Sequence, residues 1–342
     1  MTNTAGTTAA TARAGVAVVA GGSGFIGQAV IADLTAQGYQ VRTISRAGGD
    51  ARWGDSAGIQ RVIDGSDLLV NLAGKSVNCR YTDANRNEVL RSRVETTRAL
   101  REAIAASPEP PALWLNASTA TIYRYAMGRP QTEADGELGK GFSVDVARAW
   151  ERELFEGELP NTRRVALRMA IVLGDGPATQ MLATLARVGL GGPQRDGRWF
   201  FSSNRYRGIA HGTGSAAHPT TATGPDWHDS RGRQRFSWIH TDDVLRAMWH
   251  IRDTPALDGV INLSSPNPRD NTTLMRSLRR IVKMPVGLTA HRWMLEPAMF
   301  VLRTEPELVL KSRWVLPERL VESGFEFRWP ELEPALRNIL KR

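Results

Sequence analysis

The stretch that most constrains this chain is Ala20-Gly21-Gly22-Ser23-Gly24-Phe25-Ile26-Gly27. It lies between an apolar run, Val16 to Ala20, and a helical pattern through Ile26, Val30, Ile31 and Leu34 that ends at Gly38. The spacing satisfies both Gly22-x-Gly24-x-x-Gly27 and Gly21-x-x-Gly24-x-x-Gly27. Glycine lets such a turn take positive φ, lets backbone approach a pyrophosphate, and lets helix pack close to strand. The helix start then offers free N–H groups and a partial positive charge to phosphate. Gly21, Ser23, Gly24, Phe25, Ile26 and Gly27 are therefore candidate dinucleotide contacts. The alternative is a tight structural turn that holds no ligand.

The pattern that follows extends this unit into a fold. Short strands are expected at 40–45, 67–72, 113–118 and 164–173, with helices at 83–106 and 142–156. Pro108, Pro110 and Pro111 stop the first of these helices. Strand alternating with helix implies crossover connections, hence a parallel sheet with helices on both faces. The expected class is α/β, a Rossmann-like doubly wound parallel sheet with a smaller C-terminal helical or mixed subdomain. Residues 15–190 and 236–265 are assigned to the dinucleotide domain, 266–342 to the subdomain and 1–14 to a disordered tail. Residues 191–235 form a basic insertion, rich in Gly, Ser, Thr, Pro and Arg, that reads as a lid or as disorder.

Composition narrows the class without naming a function. At 342 residues, with 42% hydrophobic and 23% charged, the chain can bury a large core without staples. A lone cysteine, Cys79, excludes an internal disulfide framework and a cysteine-based zinc site. No apolar run is long enough to span a membrane, and residues 1–15 lack the apolar core of a signal peptide, so a cytoplasmic location is expected. The net charge of +9 invites a nucleic-acid reading, but only five of the 44 basic residues are lysine and none forms a single stripe. A GC-rich bacterial genome is enough to account for such an arginine bias. No nucleic-acid or membrane partner is expected.

The end of the second strand bears on cofactor choice. An acidic residue there holds the ribose 2′-hydroxyl of NAD, whereas this chain has Ser45-Arg46 and no carboxylate before Asp50. A hydroxyl and a guanidinium suit a 2′-phosphate, so NADP(H) is expected over NAD(H). A solvated surface arginine is the alternative. In the insertion, His211, His218 and His228 with Asp226 and Asp229 are too widely spaced on a Gly- and Thr-rich segment to form a metal site. Its seven arginines against three aspartates suit a basic lid over an anionic ligand.

With these residues read, the chain resembles an extended short-chain dehydrogenase/reductase. More narrowly it resembles the sugar-nucleotide-epimerase-like "epimerase family protein", also labelled cell-division inhibitor, with a C-terminal domain of unknown function. The resemblance rests on Gly21 to Gly27, Ser45-Arg46, Asn71-Leu72-Ala73-Gly74, Ser92-Arg93-Val94, Asn116 to Thr119, and Leu167-Arg168 through Gly174. It continues through Gly189 to Gly192, Phe236 to Asp243, Asn262 to Pro268 and Ser312 to Phe327. It implies that Leu72, Ala73 and Gly74 border the dinucleotide and that Val172 lies beside the nicotinamide. Arg93 either reaches the cofactor or caps its helix. His240 and the Asp242-Asp243 pair brace the subdomain, or else Thr241 or Asp242 simply caps a helix. The resemblance also implies a small-molecule substrate, here with an anionic one favoured by charge, and a homodimer as an option that the residues leave open.

One departure from the pattern matters. Active relatives carry a Ser or Thr after the strand and Tyr-x-x-x-Lys on the next helix, where the cation lowers the phenol pKa. Thr119 fills the first place, but Phe142 and Val146 stand where Tyr and Lys are required. Tyr123 and Tyr125 are the substitutes to consider for proton transfer. The expected function is an NADP(H)-dependent oxidoreductase or epimerase-like enzyme with a degenerate catalytic site. The rival is a non-catalytic NADPH-sensing binding protein.

Overall fold

The computed structural model describes residues 15–197, 228–301 and 310–341. The expected tail and most of the insertion, with His211, His218 and Asp226, lie outside the described residues.

Five short runs with buried apolar residues make the centre of the sheet, and their alternation decides which helix each face receives. The elements are β1 (Val16–Ala20), α1 (Phe25–Ala36), β2 (Gln40–Ser45), β3 (Ala51–Arg52), α2 (Ser56–Ile63), β4 (Leu68–Asn71), α3 (Asp83–Ala105), β5 (Leu113–Thr119), α4 (Phe142–Phe155) and β6 (Arg163–Met169). Next come β7 (Ile171–Leu173), α5 (Pro177–Arg187), β8 (Gln194–Arg195), β9 (Arg235–Phe236), β10 (Trp238–His240), α6 (Thr241–Asp253), β11 (Gly259–Leu263), β12 (Arg269–Asp270), α7 (Asn271–Ile281), β13 (Ala290–His291) and α8 (Arg292–Val301). Seven strands form one parallel sheet in the order β11-β6-β5-β4-β1-β2-β3. The chain runs outward one way from β1 and the other way from β4. That reversal opens a crevice at the strands' C-terminal ends.

Period-two alternation sorts the core into two layers. Ala17, Val19, Leu68, Val70, Leu113 and Leu115 face α1 and α6, meeting Val30, Leu34, Val244, Ala247 and Ile251. Val18, Ala20, Leu69, Trp114 and Ala166 face α2, α3 and α4, meeting Ile59, Val62, Leu100, Ile104 and Leu154. Each fully buried aliphatic side chain contributes roughly 1.5–3 kcal/mol of transfer free energy. A third cluster joins Leu173 and Trp238 to α5, α7 and the C-terminal helix Leu332–Leu340.

The run expected as one strand over 164–173 is two. Up to Met169 it pairs with β5 and β11; from Ile171 it leaves the main sheet and pairs with β10. The ladder changes partner at Ala170, whose N–H donates to the Leu263 carbonyl, while Ile171 N–H donates to Ser237. A continuous apolar run carries no mark of such a change. The short β3 and α2 also escaped the sequence reading. Asp55 caps α2 by accepting from Gly58 N at 2.9 Å, a local signal that was there to use.

The turn before α6 braces the C-terminal segment. His240, rather than Thr241 or Asp242, is the cap, with Nδ1 accepting from Asp242 N at 3.0 Å. Asp243, fully buried, accepts from the backbone N–H groups of Arg328 and Trp329 at 2.7 and 2.9 Å. Among the described residues no helix is long and apolar enough to cross a membrane, and no group of His, Cys, Asp or Glu is placed to hold a metal ion.

Candidate active site at the sheet's C-terminal edge

The glycine turn is built for close approach. Gly21 has φ +82°, and a Cβ there would lie 2.6 Å from the Leu72 carbonyl carbon at the end of β4. A Cβ on Gly27 would lie 2.5 Å from Gly21 O and 2.8 Å from Gly22 Cα. These two positions exclude any side chain, so helix α1 sits directly on the turn. Gly24 caps α1 without a side chain, no acidic residue stands in the first turn, and the first N–H groups face outward from the helix start. An uncapped helix N-terminus in a glycine cradle fits a pyrophosphate. A protein that needed only a turn would gain from a Ser or Asp cap here.

The cradle opens into a cavity of about 460 Å³. Gly21, Gly24, Phe25, Ile26 and Gly27 line one part of it, with Leu72 from the end of β4 and Val172 from β7. Arg93 on α3 and Thr119 at the end of β5 line it as well. So do Phe142, Val146 and Trp150, which α4 presents at helical spacing where the Tyr and Lys of active relatives would stand. The two positions where a proton relay is expected, Phe142 and Val146, are thus apolar, with Ser143 the α4 hydroxyl on the same wall. Phe142 packs edge-on against Tyr81, with ring centroids 4.9 Å apart, and carries the Arg86 guanidinium 4.3 Å from its centroid.

The three candidate proton-handling residues go to different places. Thr119 lines the cavity; its Oγ1 accepts from Thr121 N at 3.1 Å and lies 3.0 Å from Thr121 Oγ1. Tyr123 is 1% exposed and is not part of the cavity wall. Its hydroxyl accepts from Arg168 Nη1 at 2.8 Å and donates to Asn262 Oδ1 at 3.0 Å. Burial pushes the phenol pKa up, against the pull of Arg168. Tyr125 donates to Asp196 Oδ2 at 3.0 Å and stacks on His228 with centroids 3.5 Å apart, also away from the cavity. Arg129, at the Tyr125 + 4 position, pairs instead with Asp135 and Glu137, and residues 124–130 are not helical.

Behind the cavity runs a buried polar chain that sequence spacing could not disclose. Ser118, which lines the cavity, donates to Glu151 Oε1 at 2.6 Å. Arg168 grips both Glu151 oxygens at 2.8 and 2.7 Å, then reaches Tyr123. Burial alone would lower the Arg168 pKa, but this bidentate carboxylate holds it above its ordinary value. Asn262 continues the chain, donating from Nδ2 to Leu316 O and from its backbone to Glu133. Ser118 and Arg313 fall in stretches that carry the resemblance but have no site role by sequence, and Trp150, Val77 and Tyr81 fall outside them; all five line the cavity. Helical spacing from Phe142 could have found Trp150. Arg313, from the segment after residue 310, could be found only in three dimensions.

At the tip of β2, Ser45 and Arg46 stand beside the glycine turn, whose Gly21 N–H donates to Ile44 O at 3.3 Å. Arg46 is exposed. Ser45 Oγ closes the following turn through Gly48 and Ala47. Asp50, the nearest downstream carboxylate, is held back along the strand by Thr43 N at 2.7 Å. Ala73 and Gly74 follow β4: Asn71 Oδ1 accepts from Ala73 N, and Gly74 packs against the Arg93 guanidinium.

A parallel sheet in this order, with a glycine cradle at its switch point, is a Rossmann-like dinucleotide-binding fold of the kind that extended short-chain dehydrogenases/reductases use. Residues 17–140 match the NAD dependent epimerase/dehydratase family, and residues 292–339 match a domain of unknown function, DUF1731. Nearly the whole chain is also similar to relatives that carry the epimerase-family name. It is 26% identical over 332 residues to epimerase family protein YfhF of Bacillus subtilis, covering 94% of this chain and 96% of that one. It is 28% identical over 337 residues to the human epimerase family protein SDR39U1, covering 94% and 99%. The crystal structure of human SDR39U1 isoform 2 with NADPH superposes with TM-score 0.77 at 26% identity, over 96% of this chain and 99% of that one. A UDP-N-acetylglucosamine 4-epimerase from Bacillus cereus shares the fold, with TM-score 0.66 at 14% identity over 95% of each chain.

Proposed function

We propose that the chain binds NADP(H) and is an oxidoreductase or epimerase-like enzyme acting on a small, anionic substrate in the cytoplasm. The observation that carries the reading is the uncapped, glycine-cradled start of α1 opening into the same cavity as Thr119. The human relative's structure with NADPH supports the choice of dinucleotide. Gly21, Ser23, Gly24, Phe25, Ile26 and Gly27 would hold the pyrophosphate side, and Ser45 with Arg46 would hold the 2′-phosphate. Leu72, Ala73, Gly74 and Val172 would flank the cofactor further along. When bound, the nicotinamide supplies or accepts a hydride. Thr119 would hydrogen-bond the substrate oxygen, while Phe142, Val146 and Trp150 exclude water. The units would be 15–190 with 236–265 for the dinucleotide and 266–342 as the subdomain, with 191–235 as a basic insertion.

The apolar Phe142 and Val146 on α4 favour a second reading, a non-catalytic NADPH-binding regulator. Thermal melting with NADPH, NADP⁺, NADH and NAD⁺ at matched concentrations tests the common core. A ligand at 100 times its Kd stabilises by about 2.7 kcal/mol, so specific binding is easily read. A shift with the phosphorylated pair alone supports the assignment; no shift with any dinucleotide rejects it. Stereospecific loss of NADPH absorbance with a carbonyl panel then separates enzyme from regulator.

A further inference from the structure

The α3–α4 side of the cavity holds a cation with no anion of its own. Arg93 donates through Nη1 to the carbonyls of Lys75 and Val89, both at 3.0 Å, and its guanidinium lies 5.0 Å from the Trp150 ring centroid. Among the described residues no carboxylate pairs with it, and its Nε–Nη2 edge makes no hydrogen bond. Burial pushes its pKa down to about 10, so it stays charged at neutral pH while paying for desolvation. A desolvated guanidinium without a counter-ion in a ligand cavity is incomplete until an anion enters.

The surroundings of Arg93 restrict what that anion is attached to. Val77, Val89, Phe142, Val146 and Trp150 make most of that side of the cavity, with Tyr81 and Ser143 as its polar-tipped members. The hydroxyls of a hexose placed against the apolar members would lose water without gaining partners. The free Nε–Nη2 edge is the side of a guanidinium that takes a planar carboxylate with two parallel bonds.

We propose that Arg93 is the anion-recognition residue of the substrate site, and that it selects a small carboxylate with an aromatic or aliphatic body rather than a sugar nucleotide. The proposal rests on the reading above that this cavity holds substrate beside a dinucleotide. The test is calorimetric titration of the full chain, saturated with NADP⁺ and also free of dinucleotide. The probes are benzoate, benzyl alcohol, acetate, phenyl phosphate and UDP-glucose. Benzoate should bind at least about tenfold more tightly than the alcohol, which lacks the charge, and than acetate, which lacks the ring. Arg93→Met should remove the benzoate signal and leave NADPH affinity unchanged. Arg93→Lys, which keeps the charge and loses the fork, should weaken benzoate about tenfold and serves as the folding control. The proposal is overturned if UDP-glucose or phenyl phosphate binds and benzoate does not, or if Arg93→Met weakens NADPH as much as benzoate, which would make Arg93 a cofactor residue. Failure of the wild type to bind any dinucleotide would sink the proposed function alone, since benzoate binding to the free protein is read separately.

Discussion

Tyr123 and Arg168 meet across the sheet's C-terminal edge, the phenol oxygen accepting from Nη1 at 2.8 Å while Glu151 holds the other side of the guanidinium. The pair makes a tyrosine that the sequence offers for proton transfer into a buried joint between the turn after β5, β6 and β11. Its hydroxyl hydrogen is committed to Asn262. Tyr123→Phe should therefore destabilise the fold by about 1–3 kcal/mol, because Arg168 Nη1 and Asn262 Oδ1 lose a partner. Dinucleotide binding by the molecules that remain folded should be unchanged. Chemical denaturation and NADPH titration measure the two effects. Normal stability with lost binding would show that the phenol serves the ligand.

Gly21 is tested by a smaller change. Gly21→Ala adds a methyl at φ +82° and 2.6 Å from the Leu72 carbonyl carbon. The backbone strain alone is of order 1–3 kcal/mol, and the turn must move away from β4. NADPH-induced stabilisation should disappear in thermal melts, whereas Gly38→Ala, with φ +82° but open space around it, should lower stability and keep the NADPH shift.

Asp243 gives a handle on the C-terminal segment. Its two oxygens accept from consecutive N–H groups at Arg328 and Trp329, and burial, opposed by those bonds, raises its pKa. Asp243→Asn keeps one acceptor and points an amide at the second donor. About 1–3 kcal/mol should be lost. Proteolysis should then cut between the α6 turn and residue 330 sooner than in the wild type.

Much of this architecture could be read from the chain because β-branched runs and glycine spacing are local signals. Val16–Ala20 and Gln40–Ser45 emerged with their sequence-derived bounds. The cavity's glycine side, Thr119 and Arg93 are legible as site candidates in the sequence. The rest depends on long-range pairing. Ser118, Glu151, Arg168 and Asn262 are far apart in sequence, and nothing about a serine before Thr119 announces a carboxylate 33 residues on. Tyr125 failed to reach the cavity for a similar reason: Asp196 and His228, at the edges of the insertion, draw it away.

Glu153 sets one pH dependence. Burial would raise its pKa, but Arg98 and Arg101, with N···O distances of 2.8 and 2.9 Å, bring it below the ordinary value. A carboxyl with a depressed folded-state pKa contributes stability above its unfolded pKa, near 4.3, and loses it as pH falls through the folded value. Melting temperature should fall on acidification below about pH 5. Glu153→Gln should be less stable than wild type at pH 7 and converge with it toward pH 3. Parallel curves would assign the acid sensitivity to other carboxylates.

Cofactor selection provides the sharpest test of Arg46. Exposed at the tip of β2, it has no carboxylate at the strand end to favour a free 2′-hydroxyl, since Asp50 is bound to Thr43. A charge-assisted bond contributes about 1.5–3 kcal/mol, so Arg46→Ala should weaken NADPH by roughly 10- to 100-fold and leave NADH unchanged. Arg46→Asp should go further and reverse the preference, because a carboxylate repels the 2′-phosphate and accepts from the 2′-hydroxyl. Paired Kd measurements at fixed ionic strength decide the matter. Equal loss for both dinucleotides would mean that Arg46 supports the turn and does not read the phosphate.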